Sequence, residues 1–228
     1  FANSPWCKGD PRRYQSYRSL VWTQVDPDRC GIQPFIYNTD CGYADYVDWA
    51  LDIPMFFLSG PNGYLNVSGT HSFRDLMEGR IPGHSATLDA WDLHLSTVFP
   101  EVRAKTHFEF RSADVVPPEF IPACPALWKG IVYSDTCLDA AWDLVKKWSL
   151  DQRRDFIQQV AFNGLRARLP VGAGLVQDMC KDLLEIASTG LQTQALDGLG
   201  NESDAELLLP LHGIVQSGIS LADKVSPI

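Results

Sequence analysis

Arg103, Lys105, His107, Glu109 and Arg111 fill every odd position between Val102 and Arg111. Guanidinium and ammonium groups grip phosphate or carboxylate oxygens, and a carboxylate among them can hold a divalent cation. The set therefore suits a polyanion bound beside a metal ion. The even positions carry Val102, Ala104, Phe108 and Phe110, with Thr106 as the polar exception. Successive strand side chains point to opposite faces, so the pattern predicts one strand over 102–111, charged on one face and packed on a core by the other. The same alternation also describes an antiparallel strand whose polar face only meets water.

A second candidate is Arg18, framed by Tyr14, Tyr17 and Trp22. A planar guanidinium among aromatic rings makes a good carboxylate receptor, though it can equally be an arginine packing its stem on Trp22. Asp45, Asp48 and Asp52 recur at helical spacing and read as a solvated acidic face. His94 reads as a helix-surface or core-edge histidine, and His71, His84 and His212 show no partner spacing. Neither GxxxxGK[ST] nor GxGxxG occurs, so any bound nucleotide is held by a sheet and its charged side chains.

The elements that position these groups follow from periodicity and punctuation. Residues 1–13 read as a loop, and 14–24 as either helix or strand. A helix over 42–52 ends before Pro54, a hairpin of 55–58 with 64–67 turns around Gly60-Pro61-Asn62-Gly63, and a short helix is capped by Ser72 and stopped at Gly79. Another helix starts at Thr87 or Asp89 and leads into the alternating strand. From 119 onward there are five amphipathic helices, over 119–133, 135–148, 150–163, 175–190 and 203–217. The division is thus a mixed front part, 1–116, and a helical part, 117–228.

With 228 residues, 45% hydrophobic, the chain can bury a sizeable core. A net charge of −9 disfavours nucleic acid and anionic membranes as partners, so a phosphate site must be a local cluster of cations. No apolar run is long enough for a membrane span, and the expected location is cytoplasmic. The six cysteines lack zinc-type spacing and read as free or buried thiols. The first residue is Phe1 in a loop-like stretch, which reads as a piece of a longer protein.

Several runs together resemble the glutamate-cysteine ligase family, in its plant-type and bacterial branches. They are FANSPWCKG, SYRSLVWT with DPDRCG, YVDWALDIPMFF, SFRDLMEGRIP, HLSTVFPEVRAKTHFEFRSAD, ACPALWKGIVY and LDAAWDLV, in the family's order over residues 1–190. The resemblance implies an α+β chain: part of a glutamine synthetase-like antiparallel-sheet catalytic fold, with helices behind it. It implies ATP-dependent ligation of glutamate, through a γ-glutamyl phosphate, to cysteine, as in the first step of glutathione biosynthesis. Glutamate, cysteine and ATP are then the small-molecule partners, with Mg2+ required.

By the family's E-x-R motif, Glu109 is the implied magnesium ligand and Arg111 the group that steadies the transferring phosphoryl, with Arg103 beside it and Lys105 toward ATP. Arg18 matches the arginine that receives the glutamate α-carboxylate, Trp22 and Tyr46 the pocket walls, and Asn3 and Ser4 the substrate loop. The family's other metal ligands lie in its N-terminal half, absent here, so the isolated chain is expected to be inactive. Ser112-Ala113-Asp114-Val115-Val116-Pro117-Pro118 departs from the plant GADGGPW and is nearer to bacterial relatives. Val67 and Gly83 replace the regulatory cysteines of the plant branch. A ligase with another amine acceptor and a non-catalytic helical module are the alternatives.

Overall fold

The computed structural model describes residues 2–10, 12–38, 40–60 and 63–225. The chain forms two compact units, one of residues 21–112 and one of residues 1–20 together with 113–228. Helix α1 (Tyr17–Thr23) settles 14–24 as helical at its centre.

The 21–112 unit contains β1 (Cys30–Gly31), α2 (Tyr43–Asp52), β2 (Phe57–Gly60), β3 (Gly63–Asn66), α3 (Phe73–Met77), α4 (Leu88–Ser96), β4 (Phe99–Pro100), β5 (Val102–Ala104) and β6 (Phe108–Phe110). These strands make three two-stranded sheets among the described residues, β1–β4 parallel, β2–β3 and β5–β6 antiparallel. Pro61 and Asn62 of the expected Asn-Gly turn lie outside the described residues. Helix α3 starts as its sequence predicts: Ser72 Oγ accepts the Asp75 N–H, and the Asp75 carboxylate accepts the Ser72 N–H. Met55, Leu58, Phe73, Leu76 and Ile81 form the core of this unit. Each such side chain stabilises by about 1.5–3 kcal/mol when fully buried.

One expectation is corrected by the strands. The segment 102–111 is a hairpin, turned at Lys105, Thr106 and His107, where Lys105 N–H donates to His107 O at 2.9 Å. Asp48 and Asp52 are exposed, as an acidic face in water should be, and Arg74 donates to both from the surface, at 3.4 and 2.6 Å.

Buried beneath the front helices, Arg29 is a guanidinium with every side occupied. It donates to Asp26 at 2.6 Å, to the Pro54 carbonyl at 2.7 Å and to the Thr97 carbonyl at 3.3 Å, and it lies 3.5 Å from the centre of the Phe56 ring. A planar fork with five N–H groups can serve three acceptors and still stack on a ring.

The second unit is built of α5 (Ala123–Val132), α6 (Asp135–Asp143), α7 (Leu150–Asn163), α8 (Val176–Leu196), a 3-10 segment over Glu202–Leu208, α9 (Leu209–Ser217) and α10 (Leu221–Lys224). All five expected helices are present: α8 is longer than the sequence suggested, and α5, α6 and α9 are shorter, the expected starts at 119 and 203 falling in 3-10 segments over Pro118–Phe120 and Glu202–Leu208. Phe120, Ala126, Ile131, Leu184, Leu191, Leu208 and Leu211 lie in its core. Helices α5 and α8 meet at Gly130, Ala187 and Gly190, so closely that a Cβ on Gly190 would overlap the Gly130 carbonyl oxygen.

The boundary between units falls at 112/113, and the first twenty residues belong with the helices. Hydrogen bonds give the reason. Gln15 and Ser16 donate their N–H groups to the Ala161 carbonyl, Gln15 Nε2 donates to Asp223, and Ala222 N–H donates to the Ala2 carbonyl. A loop-like sequence satisfies its backbone on these helices because it has no strand of its own to pair with.

Candidate functional site

The β5–β6 ladder pairs Val102 with Phe110, Arg103 with Glu109 and Ala104 with Phe108. Glu109 stands between two arginines. Its Oε2 accepts from Arg103 Nε at 2.8 Å and Nη2 at 2.5 Å, and its Oε1 accepts from Arg111 Nη1 at 2.5 Å. Arg103 Nη1 also donates to the Ser96 carbonyl at 2.9 Å. Beneath the cluster lies an aromatic floor: both guanidiniums face the Phe99 ring, at 5.8 and 5.2 Å, and Arg111 lies 5.5 Å from the Trp22 ring. Cations over ring faces are attracted by the ring quadrupole, so the floor fixes the guanidinium planes as well as covering them.

The burial of the two faces departs from the expectation at four positions. The Arg103 and Arg111 side chains are 11% and 18% exposed, whereas Val102 and Phe108 of the apolar face are 41% and 53% exposed. Long arginine stems supply the hydrophobic cover that the even positions were expected to give. Burial pushes the Glu109 carboxyl up. Hydrogen bonds and charge from Arg103, then Arg111, outweigh it and hold the group below the usual carboxylate range.

Two guanidiniums against one carboxylate give the cluster an excess of positive charge. Among the described residues no group of three or more His, Cys, Asp or Glu could hold a metal ion. Beyond its three hydrogen bonds the Glu109 carboxylate keeps one lone-pair site, enough for one oxygen ligand of an octahedral magnesium.

The opposite face of the hairpin borders a cavity of about 510 Å³. Helix α2 gives it Tyr43, Tyr46 and Val47, and helix α4 gives it Trp91, Asp92 and Leu95. Ala104 and the hairpin tip complete the lining. Tyr46 Oη accepts the Ala104 N–H at 3.2 Å, and Tyr43 stacks on Phe108 at 6.2 Å between centroids. The structure therefore groups Trp22 with Arg103, Glu109 and Arg111, and groups Tyr46 with Lys105 at the cavity. Phe99, Trp91 and Asp92 escaped sequence reasoning, because nothing in their spacing links them to the hairpin.

The profile of Glutamate-cysteine ligase family 2 (GCS2) matches residues 1–227. The chain belongs to glutamate-cysteine ligase family 2. Its similar relatives include proteins named "Glutamate--cysteine ligase, chloroplastic" from Nicotiana tabacum, Medicago truncatula and Arabidopsis thaliana. Each is 36% identical over 99% of this chain, and the match covers 42%, 43% and 42% of the respective relative. The chain thus spans about two fifths of the length of the curated relatives it matches.

In the helical unit of this family-2 chain, the segment with Asn3 and Ser4 is pinned by Asp114. Its Oδ2 accepts from Asn3 N–H at 2.8 Å and Ser4 Oγ at 2.9 Å, and Ser4 Oγ in turn accepts the Arg18 N–H at 3.1 Å. Asp114 Oδ1 is buried with no hydrogen-bond partner among the described residues. Arg18 sits in the first turn of α1, which these bonds anchor. All six cysteines are free thiols, as their spacing suggested. Among the described residues no helix is long and apolar enough to cross a membrane.

Proposed function

We propose that the protein carrying this chain joins glutamate to cysteine at the expense of ATP, and that Arg103, Glu109 and Arg111 stand where the phosphoryl group is transferred. The observation that carries this reading is the clamped carboxylate: one acidic group holds two partly buried guanidiniums side by side over an aromatic floor. Phosphoryl transfer needs positioned positive charge around the group in flight more than it needs covalent chemistry. Arg111 and Arg103 supply that charge, Glu109 orients both, and Phe99 and Trp22 exclude water from one side. Magnesium bound with ATP would neutralise phosphate charge, taking one ligand from Glu109 and the others from outside the described residues.

On the family match, the glutamate γ-carboxylate takes the phosphoryl group, and the amine of cysteine then displaces phosphate from the γ-glutamyl phosphate. Arg18 is proposed for the glutamate α-carboxylate, with Trp22 as wall, on the family match alone. A glutamine synthetase-like antiparallel sheet, completed by strands from the part of the relatives beyond the match, belongs to the same proposal.

The test is ADP release by the intact protein with magnesium, ATP and glutamate, with and without cysteine. Release that requires cysteine supports the reading. Release that requires another amine would move the protein to a different acceptor, and no release in any mixture overturns it.

A further inference from the structure

Arg29 and Arg103 share the end of one helix. The last carbonyls of a helix find no N–H within it, and those of α4 are satisfied one by one. Ser96 Oγ–H donates to Leu93 O, Thr97 N–H to His94 O and Val98 N–H to Leu95 O. The next three carbonyls take guanidiniums. Arg103 donates to those of Ser96 and Val98, at 2.9 and 3.4 Å, and Arg29 to that of Thr97 between them, at 3.3 Å. The negative end of the helix dipole favours both cations there.

The main chain of Arg29 reaches the same cluster by a second route. Its carbonyl accepts the Phe99 N–H at 2.7 Å, next to the Cys30–Phe99 pair of the β1–β4 ladder. Phe99 is the ring that both Arg103 and Arg111 face. Further along, Glu101 N–H donates to Gly31 O at 3.3 Å, and Arg111 N–H to Glu101 O at 3.0 Å. One residue therefore stands behind the seat of Arg103, the aromatic floor and the backbone that leads to Arg111. Its own place is set by its side chain, which bonds Asp26 and Pro54 and lies over the Phe56 ring. That side chain is 3% exposed, closed to any substrate, so it acts only through the groups it holds.

We infer that Arg29 is a positioning residue for the ligation: it fixes the carbonyls of residues 96–98 on which Arg103 is held, and with them the direction in which the Arg103 guanidinium meets the phosphoryl group. The effect on turnover rests on the phosphoryl-transfer reading, whereas the coupling of Arg29 to Arg103 stands without it. Lysine keeps the charge but not the role. An ammonium on a flexible stem cannot serve Asp26, Pro54 and Thr97 at once and also stack on a ring.

The experiment compares the intact protein with Arg29→Lys, with arginine and leucine isotopically labelled for NMR and kinetics taken well below the melting temperature of each form. Arg103 Nε–H, which donates to Glu109, should exchange with water about tenfold faster in the variant, while the Leu76 amide in the core of the same unit keeps its rate. Turnover should fall about tenfold, with the KM for ATP and for glutamate within about twofold of the parent. Added to Arg103→Lys, Arg29→Lys should lower turnover no further. If Arg29→Lys does not fold, Asp26→Asn, which keeps Arg29 and removes the charge at its Nε, carries the same NMR test. An unchanged Arg103 Nε–H, equal acceleration of Arg103 and Leu76, or independent effects of the two substitutions on turnover overturns the assignment. Arg103→Lys with the parent's turnover would defeat the phosphoryl-transfer reading and with it the effect on rate, while faster exchange at Arg103 Nε–H would still uphold the coupling.

Discussion

Arg103 and Glu109 face each other directly across a three-residue turn, joined by hydrogen bonds of 2.8 and 2.5 Å. The pair is half of a bridge whose other half runs to Arg111, so one carboxylate is shared by two neighbouring cations. Glu109→Gln keeps the shape and removes that charge. Stability should fall by about 1–2 kcal/mol, the scale of hydrogen bonds to charged groups, and ligase turnover should drop with it. Urea unfolding and ADP release measure the two effects; a variant equal to the parent in both would remove Glu109 from structure and chemistry alike. Because the folded carboxyl titrates below its ordinary range, this contribution is complete above that range and is lost as pH falls through the folded value.

His94 gives a second pH dependence. Its Nε2–H donates to the Ala50 carbonyl at 2.7 Å, and its Nδ1 is buried with no partner among the described residues. Burial first, and the nearby Arg29 charge also, push its pKa down, partly opposed by the bond to Ala50. Below the ordinary histidine value of about 6.5 the unfolded chain takes up a proton that the folded one refuses, so stability falls as pH drops through that window. His94→Gln retains a donor for Ala50 but cannot titrate. Melting temperature should vary less between about pH 5 and 6.5 in the variant than in the parent; parallel curves would show that His94 is not the group responsible.

The helix crossing is the place most sensitive to added volume. Gly190→Ala drives a methyl group into the Gly130 carbonyl oxygen, against backbone that no rotamer can move. The helices must separate, at a cost of about 1–3 kcal/mol or more. A melting temperature lowered by less than about a degree would mean that α5 and α8 do not cross so closely in solution.

Arg18→Ala should raise the KM for glutamate far more than that for ATP, because a carboxylate receptor acts on one substrate. Equal changes in both would place Arg18 outside the glutamate site.

Helices were legible wherever a 3.6-residue period met a capping residue, as at Ser72 and Thr87. The hairpin was not, for a reason of arithmetic. Partners in the ladder are Arg103 with Glu109 and Ala104 with Phe108, so odd pairs with odd and even with even. A ribbon folded back in this way shows the same alternation as one straight strand. Its tip, Lys105-Thr106-His107, contains no Gly, Pro, Asn or Asp to mark a turn. Of the charged set, Arg103, Glu109 and Arg111 come together on one face as the alternation suggested, whereas Lys105 and His107 turn away at the hairpin tip. What escaped was which face would be buried, since hydropathy ranks arginine by its charge and ignores its stem. The cavity escaped because α2 and α4 reach it from separate stretches of sequence.

The 21–112 unit is an insertion in chain order: the unit that contains residues 1–20 is completed only by residues 113–228. Gln15 finds its partner Asp223 a full 208 residues later. During synthesis the inserted unit has all its residues available well before that bond can form, while the opening segment waits. Folding therefore has a built-in order. The stretch around Gln15 is made ahead of the inserted unit yet fixed in place after it, once a long loop has closed.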